Sequence, residues 1–153
     1  MWADVIQTWM GMVGSVCFGV LFGIYDRKLL FVALGSGGGW IVYLLCVHTG
    51  YGKFIGLLAA SLFVAALSEL LARILKTPVI LLLVPMLIPE IPGGDLYYTM
   101  YYLVQEHYPE FGIYSKQVLM EAGAIALGII LVSCIIRFLQ SCQAIIDKRL
   151  RVI

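Results

Sequence analysis

The side chains best placed to do chemistry fall in one short stretch, Pro89-Glu90-Ile91-Pro92-Gly93-Gly94-Asp95. Two carboxylates sit between apolar runs, and ionisable groups in such surroundings are costly and mark solute or ion paths. Pro89 and Pro92 lack backbone N–H groups, and Gly93 and Gly94 permit non-helical torsions, so a continuous helix is not expected here. A helix ending at this break offers free carbonyls, which with Glu90 or Asp95 suit an ammonium group or a proton. A helix starting there offers free N–H groups and a positive dipole end, which suit a carboxylate. A zwitterionic amino acid fits both ends. A dicarboxylate fits only if it is protonated or if a partner supplies cations. Tyr97, Tyr98 and Thr99 follow in the first turn, where their hydroxyls reach a bound solute. The expected substrate-binding set is therefore Pro89, Glu90, Pro92, Gly93, Gly94, Asp95, Tyr97, Tyr98 and Thr99. The alternative reading is a Pro/Gly loop between a short segment and a surface helix.

Glu69 lies ahead of the break, with Arg73 four residues on. The pair either neutralises itself on one helix face or presents a carboxylate to a path. Glu69 and Asp95 are the candidates for ion or proton coupling. Glu121, at the start of the last apolar run, competes with Glu69 for a path-lining role. There is no nucleophile–base pair, no H-E-x-x-H and no paired aspartate motif, so an intramembrane enzyme is not the expected class. His48 and His107 are far apart and without a second ligand, so no metal or cofactor is expected. Cys17, Cys46, Cys134 and Cys142 show no C-x-x-C spacing and read as packing residues.

The elements that must position these groups are apolar. Of 153 residues, 62% are hydrophobic and 12% charged, which excludes a soluble domain of this size and leaves no room for a catalytic one. A net charge of +1 without a basic aromatic patch argues against nucleic acid. The predicted fold is all-α and integral to a membrane, one transmembrane domain over 1–153 with five spans. These cover about 5–24, 29–47, 54–75, 79–104 and 118–139, the fourth broken at 89–94. Each run flanking that break would rise ~15 Å as a helix, half a bilayer core, which puts the break and both carboxylates near the midplane. Ser15, Gly19 and Gly23 share the spacing of a close-packed helix face. The cluster Gly35-Ser36-Gly37-Gly38-Gly39 is poor helix and marks either very close packing or an unwound point. A polar loop is expected over 105–117. Tyr101 and Tyr102 also suit an interfacial belt. Arg27 and Lys28, Arg73 and Lys76, and Lys148, Arg149 and Arg151 fall on one side if five segments cross. The N-terminus is then outside and the C-terminus cytoplasmic. The N-terminus has no basic n-region, so no cleavable signal peptide is expected.

The run from Glu69 to Met100 resembles the threonine/serine exporter family, and more closely the small membrane subunit of its split form, similar to the C-terminal membrane half of fused exporters. Three pieces carry the likeness: Glu69 to Arg73 followed by Lys76-Thr77-Pro78, the Pro89-x-x-Pro92-Gly93-Gly94 break, and Leu96-Tyr97-Tyr98. Gly39-Trp40 and the five-span pattern extend it over essentially the whole chain. One departure is Glu90, where family members are usually apolar. The resemblance implies a secondary exporter subunit in the bacterial cytoplasmic membrane, carrying threonine and serine or, in other members, a dicarboxylate such as succinate. It also implies a second five-span membrane subunit, with a higher oligomer compatible. A unit with an odd number of crossings places a homologous half in inverted orientation, the design of many midplane sites. A non-transporting scaffold subunit is the competing class.

Overall fold

A computed structural model describes residues 2–150, with side chains to residue 142. The helices are α1 (Trp2–Leu21), α2 (Arg27–His48), α3 (Gly52–Ile74), α4 (Val79–Met86), α5 (Gly93–Val104) and α6 (Tyr108–Leu150), with a 3-10 turn at Ile88–Glu90 between α4 and α5. No strand occurs among the described residues. The all-helical expectation holds. Four helices, α1, α2, α3 and α6, are long and apolar enough to cross a membrane. The broken fourth segment is not one of them, because α4 has 8 residues and rises only about 12 Å. The basic tail Lys148, Arg149 and Arg151 lies outside the residues whose side chains are described.

α2 gathers α1, α3, α4 and the 3-10 turn around it. Its glycine cluster stays helical, which resolves the choice between close packing and unwinding in favour of packing. A Cβ at Gly35 would meet Met86 of α4, one at Gly37 would meet Met12 of α1, and one at Gly38 would meet Phe63 of α3. A Cβ at Gly39 would lie 2.5 Å from Val64 Cγ2 and 2.6 Å from Glu90 Oε1. Lacking side chains, these positions let three helices and the 3-10 turn approach about one turn of α2 from different sides. Leu82, Met86, Val32 and Val64 fill the core between them. Large apolar side chains otherwise face outward, with Trp2 83% and Leu21 79% exposed, as lipid solvation requires.

The small face of α1 is used within the chain. Gly11 packs on Pro89 and Gly19 on Leu29, while Ser15 is buried. Gly23 does not belong to that face: it lies past the helix end at φ 74° with open space around it.

α3 and α6 run side by side in the same direction. Lys53 pairs with Glu121, Gly128 sits on Ser61, and Glu69 and Arg73 share a cavity with Ile136 and Gln140. The first residues of α6 therefore extend past the start of α3, by about 15 Å. The expected loop at 105–117 shrinks to a turn at 105–107. Pro109 and Glu110 fall in the first turn of α6, where a missing N–H is harmless and a negative charge is favourable. α5 folds back along this extension as the other arm of a hairpin.

Gly39→Val drives a side chain into Val64 and Glu90 and should lower stability by about 1–3 kcal/mol. Gly93→Ala meets open space and should change it by less than about 0.5 kcal/mol. Thermal unfolding of the purified variants measures both.

Candidate functional site

The break forms where the sequence forbids a helix. Pro89 and Pro92 cannot donate, the Leu87 N–H closes α4 on Leu83 and Val84, and the Ile91 N–H closes the 3-10 turn on Ile88 at 3.3 Å. Ile91 is extended, and Pro92 at ψ 60° turns the chain into α5. The glycine torsions are not the cause. Gly93 and Gly94 lie in the first turn of α5, neither has a positive φ, and a Cβ on either would meet nothing within 4 Å.

The first half of the motif packs against the middles of three helices. Ile88 and Pro89 face Gly14 and Gly11 in mid-α1, and Glu90 faces Gly39 and Val64 near the middles of α2 and α3. Glu90 is 2% exposed, and neither carboxyl oxygen has a hydrogen-bond partner among the described residues. An unpaired carboxyl group in such a place costs several kcal/mol unless a proton, a cation or water meets it.

Asp95 is elsewhere, which corrects the expectation that both carboxylates share the midplane. Its Oδ2 lies 3.0 Å from Lys53 Nζ, at the start of α3, and accepts a 2.8 Å hydrogen bond from Gln117 Nε2 of α6. The same Lys53 ammonium lies 3.6 Å from Glu121 Oε1, to which Gln117 also donates at 3.4 Å. From Val64 to Lys53 is about 16 Å along α3. The extended Ile91, the turn at Pro92 and the reach of the Lys53 side chain together bridge that distance, so neighbours in sequence meet different parts of α3.

The remaining candidates also separate. Thr99 is buried, but its hydroxyl donates to the Asp95 carbonyl at 2.8 Å. Tyr97 and Tyr98 are exposed and take part in a ring ladder: Tyr97 stacks on Tyr101, Tyr98 lies 5.4 Å from Tyr114, and Tyr102 stacks on Tyr114. Their rings serve the α5–α6 hairpin and do not converge on Glu90. Glu69 pairs with Arg73 at 4.0 Å near the far end of α3, beside a cavity of about 300 Å³. The two coupling candidates, Glu69 and Asp95, therefore stand at opposite ends of that helix. No group of three His, Cys, Asp or Glu side chains fit to hold a metal occurs among the described residues.

Lys53, Gln117 and the contact of Glu121 with Asp95 were not foreseen. The i, i+4 spacing of Gln117 and Glu121 was the available signal, and the expected loop across 105–117 hid it.

With this geometry in view, comparison by family is decisive. The model described as threonine/serine exporter, ThrE, matches residues 7–135, from α1 through most of α6. The chain belongs to the threonine/serine exporter family. No curated protein and no solved structure matches it. The match includes both the Glu90 break and the Lys53–Asp95–Gln117–Glu121 cluster of this exporter-family chain.

A buried carboxyl group without a partner is a burden on folding. Glu90→Leu should therefore raise the stability of this exporter-family protein by about 1–3 kcal/mol, read as a higher unfolding midpoint. A lower midpoint would mean that the carboxyl group is satisfied within the fold.

Proposed function

We propose that this chain is one membrane subunit of a secondary exporter of small polar metabolites, with threonine and serine as cargo. Its partner is a second five-span subunit of the same family in a bacterial cytoplasmic membrane. The N-terminus is outside and the C-terminus cytoplasmic, and residues 79–104 hold the fourth, broken crossing. The observation that carries this reading is Glu90: a buried, unpaired carboxyl group on a helix break halfway along the bundle of an exporter-family chain. A residue so costly to fold around, at the depth where alternating access needs a site, argues for solute or ion handling over scaffolding. The start of α5 leaves room for a partner, since Gly93 and Gly94 have empty space around them. Asp95 and Glu121 argue for cargo bearing an ammonium group over a dicarboxylate, because two nearby carboxylates repel a third.

The orientation has a direct check. Single cysteines at Lys28 and at Gly112, in a background lacking the native four, should label from opposite sides of intact cells. Labelling of both from one side would sink the five-crossing assignment.

Transport is tested by efflux of threonine and serine from cells carrying this chain with and without the candidate partner. We expect efflux only with both. Glu90→Leu should leave the complex assembled and cut efflux per complex at least ~10-fold, about 1.4 kcal/mol of barrier. Equal efflux per complex in wild type and variant would favour the scaffold reading.

A further inference from the structure

Lys53 is the feature that the break does not account for. Its ammonium sits between Asp95 Oδ2 and Glu121 Oε1, at 3.0 and 3.6 Å, while half of its side chain is exposed. The Glu121 side chain is 5% exposed, and its Oε2 is buried with no hydrogen-bond partner. Gln117 bridges the two carboxylates and holds them at a fixed separation. Beside them lies a groove of about 320 Å³ between α3 and α6, lined by Lys53, Phe54, Lys116, Gln117 and Glu121 among others. A flexible lysine tip thus occupies a seat made for an ammonium group, next to an unfilled acceptor and a cavity of small-solute size.

We propose that Lys53, Asp95, Gln117 and Glu121 form a binding site for the zwitterion of a small α-amino acid, separate from the Glu90 break. The ligand's ammonium takes the place between Asp95 and Glu121 that Lys53 Nζ now fills, and donates to Glu121 Oε2 as well. The displaced Lys53 ammonium, with Lys116 on the same groove, takes the ligand's carboxylate. Each ligand charge meets an opposite one, and no free charge is left behind. Lys53 offsets one of the two carboxylate charges while the site is empty. A dicarboxylate is excluded, since it brings no ammonium and adds charge beside Asp95 and Glu121. This site rests on the reading of the chain as an amino-acid exporter subunit only for the choice of ligand.

The test is calorimetric binding to the purified full chain in lipid nanodiscs, with L-threonine, N-acetyl-threonine (no ammonium), threonine methyl ester (no carboxylate) and succinate. Threonine should bind, and the other three at least about tenfold more weakly. Glu121→Gln should weaken threonine and erase its advantage over the N-acetyl analogue. Lys53→Met should weaken threonine and erase its advantage over the methyl ester. A merely structural role would lower all affinities together and keep both preferences. Lys53 is half exposed at a helix start, so Lys53→Met carries the test even if Glu121→Gln misfolds. Absence of threonine binding, equal binding of the analogues, or preferences unchanged in the folded variants would overturn the site. The outcome is independent of transport. Efflux by the two-subunit complex without binding here removes this site and leaves the exporter reading. Binding with these preferences but no efflux does the reverse.

Discussion

The packing of α1, α3, α4 and the 3-10 turn depends on how closely their backbones can approach α2. Lipid offers no hydrophobic drive between helices, so association rests on contact area and on backbones near enough to make it. Gly35, Gly37, Gly38 and Gly39 supply that nearness toward Met86, Met12, Phe63 and Val64 in turn. One uninterrupted helix thus fixes the positions of α1, α3 and α4. It also fixes the 3-10 turn, because Gly39 is where Glu90 fits. A side chain at any of these positions would push a different neighbour away. The propensity cost of glycine, about 1 kcal/mol per residue relative to alanine, is offset by the contacts that its absence of Cβ allows.

Unwound backbone is tolerated at membrane depth only where protein or water encloses it. The break at Ile88–Glu90 meets that condition with α1 on one side and α2 and α3 on the other. Its few backbone donors are closed by short-range bonds, and two positions have no donor at all. The Glu90 side chain within it has no hydrogen-bond partner among the described residues. At the break the fold therefore carries a polar cost in a replaceable side chain, which is the expected arrangement where a cost is kept for function.

Much of this was legible in the sequence because its signals were local. Proline and glycine spelled out the break, long uncharged runs spelled out α1, α2 and α3, and motif resemblance reached the family. The failures came from signals that depend on tertiary placement. The polar residues at 105–117 looked like a loop because they lack hydrophobic periodicity, yet residues from Tyr108 on are helical and pack on α5. Gly93 and Gly94 looked like torsional hinges, yet they begin a helix with ordinary φ. Tyr97 and Tyr98 looked like solute contacts because they follow the break, but ring stacking along α5 and α6 claims them. Lys53 does not stand out in the sequence, since nothing local ties it to a residue forty-two positions away.

The separation of Glu90 from Asp95 changes how the motif must be dissected. Five positions in a helix would keep two side chains within about 8 Å along the axis. Here Ile91 is extended and Pro92 redirects the chain, so the five positions reach further than a helix would and point the two side chains to different neighbours. Substitutions along 89–95 consequently probe two environments: a dry one at Glu90, walled by Gly39 and Val64, and a partly open one at Asp95, held by Lys53 and Gln117. A scan read as a single site would average them. In the dry environment a charge change acts through an unscreened, unpaired group. In the open one it acts through an ion pair in which Lys53 can move and solvent can enter, where effects are smaller and salt-dependent. Salt dependence of a variant's phenotype is therefore the physical signature that sorts a residue of this motif to one environment or the other.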